Sequence, residues 1–109
     1  MIYTVEVRVE KSAISDFLSW IEPHVARVLE TGCFQTATIE RNVSPSDGAM
    51  FIIRYSFESL GDLERYESEH AEVLRNEGLT RFGTGLHITR SVYETLSNLT
   101  VSTMTGGNS

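Results

Sequence analysis

The chain has 109 residues, 40% hydrophobic and 22% charged, a globular composition of a size that suits one domain and is too short for two ordinary ones. Nine Lys and Arg stand against 15 Asp and Glu, a formal net charge of −6, and no basic stripe or aromatic–basic alternation offsets it, which excludes nucleic acid as a partner class. No apolar run approaches the roughly 18–20 residues of a membrane span.

The opening residues, Met1-Ile2-Tyr3-Thr4-Val5-Glu6-Val7, lack the basic start and unbroken apolar stretch of a signal peptide. Cys33 is the single cysteine, so an intrachain disulfide is impossible, as suits a reducing compartment. A cytoplasmic protein without a membrane partner is expected. Asn42-Val43-Ser44 and Asn98-Leu99-Thr100 match the glycosylation pattern, which means little without a secretion signal. At this size folding buries only about 65% of the chain's surface, so one sheet with helices on one side is about all that fits.

Residues 2–9 alternate, with Tyr3, Val5, Val7 and Val9 on one side and Thr4, Glu6 and Arg8 on the other, the period of a half-buried strand. A helix follows, with Ser12 as its expected N-cap and Asp16 near the positive end of its dipole. Its apolar stripe is Ile14, Phe17, Leu18, Ile21, Val25, Val28 and Leu29. Pro23 inside the stripe predicts a kink, or a break near Glu22. Gly32 is the expected left-handed C-terminal cap.

Phe34 to Arg41 reads as a second strand, and Asn42 to Gly48 as an exposed hairpin loop dense in turn formers. Residues 49–57 make the strongest strand, with Phe51, Ile53, Tyr55 and Phe57 on one face and Met50, Ile52, Arg54 and Ser56 on the other. Ser59 and Asp62 open a second helix as cap and capping-box acid. Its inner stripe is expected to be Leu60, Leu63, Tyr66, His70, Val73 and Leu74, with Gly78 at its end and a connector over 79–85. Leu86 to Tyr93 is the last strand, and residues 95–109 form a polar tail outside a domain spanning 1–94.

The order βαββαβ, with both crossovers right-handed, places two helices on one face of a four-stranded antiparallel sheet. The opposite face, Ile2, Thr4, Glu6, Arg8, Met50, Ile52, Arg54 and Ser56, is too apolar for water and too polar for a dry core. A second copy packed against it resolves the conflict, so a homodimer is expected.

Trp20 through His24, Thr31-Gly32-Cys33-Phe34, Glu69-His70-Ala71 with Leu74-Arg75, and Arg81-Phe82-Gly83 resemble a family of small bacterial proteins catalogued only as a domain of unknown function, DUF family 4286. The resemblance covers roughly residues 1–94. It implies a ferredoxin-like fold in the dimeric α/β-barrel group, whose members include cofactor-independent monooxygenases, haem-degrading enzymes, isomerases and ligand-sensing domains. Fold alone therefore decides no function.

Six residues are expected to line a ligand pocket between helices and sheet: His70, His24, Trp20, Tyr55, Tyr3 and Tyr66. His70 falls near the centre of the second helix's stripe, where a titratable ring needs a partner or a cavity. Core packing is its ordinary alternative. His24 and Trp20 offer a hydrogen-bonding group and a flat wall at the pocket mouth. Tyr3 and Tyr55 present phenols that need acceptors from the chain or a ligand.

Arg8 and Arg54 sit on the other face, where pairing with carboxylates is the plainer expectation. Cys33 follows a helix C-terminus, which disfavours a thiolate. The three histidines lie on different elements without ligand spacing, so no metal site is expected. Gly83-Thr84-Gly85 precedes a strand instead of joining strand to helix, which leaves no cofactor motif. Three functions fit: a small-ligand or metabolite binder, a cofactor-independent monooxygenase- or isomerase-like enzyme, or a protein-interaction module.

Overall fold

The computed structural model describes residues 1–43 and 49–101, so most of the hairpin loop expected over 42–48 and the end of the tail lie outside the described residues. The elements are β1 (Ile2–Val9), a short 3-10 turn (Lys11–Ala13), α1 (Ile14–Glu30), β2 (Thr36–Arg41), β3 (Met50–Ser56), α2 (Leu60–Glu69), α3 (Ala71–Phe82), a second 3-10 turn (Gly83–Gly85) and β4 (Leu86–Tyr93). All strand pairs are antiparallel in the order β2-β3-β1-β4, which makes the protein an α+β fold of the ferredoxin-like type. Among the described residues no helix is long and apolar enough to cross a membrane.

Register follows from the alternation of the strands. Tyr3 pairs Tyr55, Val5 pairs Ile53 and Val7 pairs Phe51, so the apolar residues of both central strands share one face. Against it α1 lays Phe17, Ile21, Val25 and Val28, all buried. On the open face Ile2, Glu6, Met50, Ile52 and Ser56 are half-buried and Arg8 and Arg54 exposed. Arg54 pairs with Glu40 of β2 at 3.2 Å, where the sequence pointed to Glu6 and its neighbours.

Three local expectations are corrected. Ser12 does not cap α1: it lies in the 3-10 turn, and the N-cap position is Ala13, which makes no side-chain cap bond. Pro23 neither breaks nor ends the helix, which runs unbroken from Ile14 to Glu30. Proline inside a helix costs about 3 kcal/mol, and the four buried apolar residues on both sides of Pro23 outweigh that. The second helix is not continuous. At His70 the backbone leaves helical geometry (φ −128°, ψ −31°), ending α2 and starting α3.

The break resets the phase of the stripe. Tyr66 before it and Leu74 after it are buried, while Val73 turns outward and Ala71 and Gly78 turn in; Leu60, at the start of α2, is exposed independently of the break. Gly78 therefore sits inside α3, and Gly83, at φ 57°, takes the left-handed position after its end.

Two junctions behave as their residues require. Gly32, at φ 77°, terminates α1, and Arg65 of α2 donates to the carbonyls of Thr31 and Gly32 at that negative helix end. Ser59 caps α2, its hydroxyl accepting from the Asp62 amide at 3.3 Å.

Candidate functional site

Between the helices and the sheet lies a cavity of about 430 Å³, within the range of small-molecule sites, roughly 300–1,000 Å³. Its lining is graded. At one end stand Tyr3, Tyr55 and Tyr66 with Arg75 of α3 and Arg90 of β4; at the other stand Phe17, Trp20, Ile21 and Leu86. The exposed lining residues, Leu79, Gly83, Ile88 and Arg90, come from α3, the 3-10 turn after it and the edge strand β4, so the cavity opens on that side.

The polar end is built from stacked rings. Tyr3 packs on Phe34 and Tyr55 with centroids 5.8 and 5.9 Å apart, and Phe34 meets Tyr66 edge-on at 4.9 Å. The Tyr3 hydroxyl accepts from Arg75 Nη2 at 3.0 Å, and the same nitrogen donates to Glu67 at 2.9 Å. The hydroxyls of Tyr55 and Tyr66 make no hydrogen bond among the described residues, although both side chains are over nine-tenths buried (4% exposed each). No fully buried side-chain polar atom among the described residues lacks a partner. These two hydroxyls therefore reach accessible space, and the space beside them is the cavity.

Burial pushes the Tyr55 hydroxyl well above the ordinary phenol value, with Tyr66 and Tyr3 adding to the shift and Arg90 opposing it. Burial likewise raises Tyr66, to about 12. Both are neutral O–H donors at pH 7.

The apolar end is fixed by α1 and α3 together. Trp20 stacks on His24 with centroids 4.2 Å apart and meets Phe82 edge-on at 5.2 Å. A Cβ on Gly78 would stand 3.2 Å from Trp20 Cη2, so α3 approaches this ring closely enough that an alanine there would press on it. His24 Nδ1 lies 3.2 Å from Glu77 Oε1, and Arg27 donates to the same carboxylate oxygen at 2.6 Å. Burial pulls the His24 pKa below its ordinary value, against the pull of Glu77 toward the charged form. With Nδ1 held by Glu77, Nε2 is left without a partner among the described residues.

Five of the six expected site residues, Tyr3, Trp20, His24, Tyr55 and Tyr66, line this cavity. His24 and Trp20 line it as half-buried residues of α1. His70 does not line it: its side chain is 32% exposed, at the joint between α2 and α3, with Nε2 3.9 Å from Glu69. The helical count that centred His70 ran through the residue at which the helix breaks.

Arg75, Gly78, Ile88 and Arg90 line the cavity as well, beyond the six residues expected there. For Arg90 a signal existed: Leu86, Ile88, Arg90 and Val92 alternate, and pairing opposite Val9, Val7, Val5 and Tyr3 puts the arginine on the helix-facing side. Among the described residues no three His, Cys, Asp or Glu side chains gather as a metal site would need.

Solved structures share this fold at low identity. A dimeric ferredoxin-like protein from an uncultured marine organism is 10% identical, covering 90% of this chain and 95% of its own, with a TM-score of 0.71. A protein described as a candidate antibiotic biosynthesis monooxygenase from Deinococcus radiodurans is 14% identical over 92% of this chain and 99% of its own, TM-score 0.59. An ethyl tert-butyl ether D (EthD) family protein from Bacillus halodurans C-125 is 13% identical over 86% and 100%, TM-score 0.57. At such identities the likeness shows the fold alone. No curated protein matches the chain. The model of one family matches residues 1–96, and the chain belongs to that family, the domain of unknown function DUF4286.

Proposed function

We propose that the protein is a homodimeric small-molecule-binding protein whose ligand sits in the cavity between helices and sheet. The observation that carries this reading is the pair of neutral hydroxyls, Tyr55 and Tyr66, reaching a cavity of ligand size without partners in the chain. A polar group with no partner costs about 1–3 kcal/mol when desolvated, and a ligand acceptor removes that cost. The half-buried open sheet face supports the dimer, as does the description of one similar structure as dimeric. A cytoplasmic location rests on composition and on the lone Cys33.

Native mass spectrometry of the purified protein tests both halves. The reading expects a dimer retaining a small organic molecule, and Ile88→Trp, which narrows the mouth, releases it. A protein that retains nothing and binds nothing from a metabolite extract would refute the ligand, and a binding protein partner seated on the open face would instead favour an interaction module.

One observation favours a second reading, cofactor-independent oxygenase- or isomerase-like chemistry. His24 is held by Glu77 at Nδ1, and its depressed pKa leaves Nε2 free to accept a proton at pH 7. Turnover of the retained molecule, abolished by His24→Gln with binding intact, separates this reading from binding alone.

A further inference from the structure

The cavity's charge is opposite to that of the chain. The protein carries 15 acidic residues against nine basic ones, yet two arginines and no carboxylate line the cavity among the described residues. Arg90, on β4 opposite Val5, makes no ion pair or hydrogen bond among the described residues. Arg75 uses Nη2 for Tyr3 and Glu67, which leaves Nε and Nη1 without partners among them. The hydroxyls of Tyr55 and Tyr66 add two donors at the same end. The guanidinium fork of Arg90 can bind a carboxylate in two parallel hydrogen bonds, while Arg75, paired with Glu67, adds single N–H donors; a cationic ligand would meet Arg90 with no carboxylate in the lining to offset it.

We propose that the ligand is a small monoanion, an apolar, ring-sized body ending in a carboxylate, with its acid group between Arg75 and Arg90 and its body against Phe17, Trp20 and Leu86. This assignment rests on the reading of the cavity as a ligand site. The graded lining fixes the orientation: the arginines and phenols gather at one end, and the other end is an aromatic wall whose one ring with a free nitrogen, His24, is held toward its neutral form. Arg90, exposed at the mouth, draws the acid in from solvent, and the phenols Tyr55 and Tyr66 complete its oxygen contacts inside.

Trp20, the single tryptophan, lines the apolar end, so its emission reports occupancy directly. Titration with 3-phenylpropanoate, its amide and 3-phenylpropylamine, at equal ionic strength, tests the assignment. The acid is expected to bind at least about tenfold more tightly than the amide, since charge-assisted bonds are roughly twice as strong as neutral ones, and the amine more weakly than either. Arg90→Gln, at an exposed edge position that does not endanger the fold, should erase the preference for the acid over the amide, and Arg90→Lys should keep part of it. Equal binding of acid and amide, or an acid preference that survives Arg90→Gln, would overturn the anion assignment and leave the ligand-site reading standing. If no probe alters Trp20 emission up to about 10 mM, weaker than any useful affinity, both fail.

Discussion

Gly78 offers a quantitative test of how the cavity wall is assembled. Replacing an interior helix glycine by alanine ordinarily stabilises a helix by about 0.8–1.0 kcal/mol. Here the new methyl group would stand 3.2 Å from Trp20 Cη2 and 3.6 Å from Cζ2, inside the optimum carbon–carbon separation of about 3.5–4.0 Å. The indole cannot simply slide away, because His24 stacks on it at 4.2 Å and Phe82 blocks its edge at 5.2 Å. Overpacking of that kind costs about 1–3 kcal/mol, so Gly78→Ala should come out destabilising by about 0–2 kcal/mol.

The sign should reverse once the ring is gone. In a Trp20→Leu background Gly78→Ala should stabilise by close to the full helix term, about 0.8–1.0 kcal/mol, giving a coupling of about 1–3 kcal/mol in the double-mutant cycle. Urea unfolding followed by circular dichroism is the assay, since Trp20 is the single tryptophan and its fluorescence is lost in half the variants. A stabilising Gly78→Ala in the parent chain, with effects that add to within about 0.5 kcal/mol, would refute the packing account.

Three further outcomes follow. His24 has its pKa lowered from 6.5 by burial, beside Glu77 and Arg27, so as pH falls below about 6.5 the unfolded chain takes up the proton first and stability is lost. The melting temperature should drop from pH 7 to pH 5 and His24→Gln should flatten that slope; an unchanged slope would contradict it, and the depressed Glu77 acts only below its ordinary 4.5. Ile52→Asp on the open sheet face should raise the dimer dissociation constant at least about tenfold for an interface of roughly 1,200 Å² or more, read by light scattering, while an unaffected dimer would place the interface elsewhere. Truncation after Thr95 removes Leu96, Leu99 and Val101, all strongly exposed, and should shift the melting temperature by less than about 4 °C; a larger drop would mean that these residues dock on the partner copy.

The sheet was legible because period-two alternation survives folding unchanged: Tyr3, Val7, Phe51, Ile53, Tyr55 and Phe57 all face the helices and are buried. Most of the cavity's aromatic lining followed from the same alternation and from the unbroken stripe of α1. The helix opposite was harder, because nothing in Glu69-His70-Ala71 marks a break, and a one-residue departure from helical geometry rotates everything after it. That rotation took His70 out of the cavity, turned Val73 to solvent and brought Gly78 under Trp20. Arg75 and Arg90 are hard to read as cavity residues for a different reason. A charged residue on a half-buried element ordinarily reads as a solvated one, and only the pairing of β4 with β1 shows that Arg90 faces inward.

The cavity itself is tested most directly by a nitrogen-15 correlation spectrum of the protein titrated with 3-phenylpropanoate. The account predicts that the Trp20 indole N–H and the amides of Tyr3, Gly78 and Arg90 shift together and saturate at one dissociation constant, while Glu6, Ile52 and Arg54 on the open sheet face stay fixed. Shifts gathered on that open face, with the Trp20 indole unmoved, would contradict it.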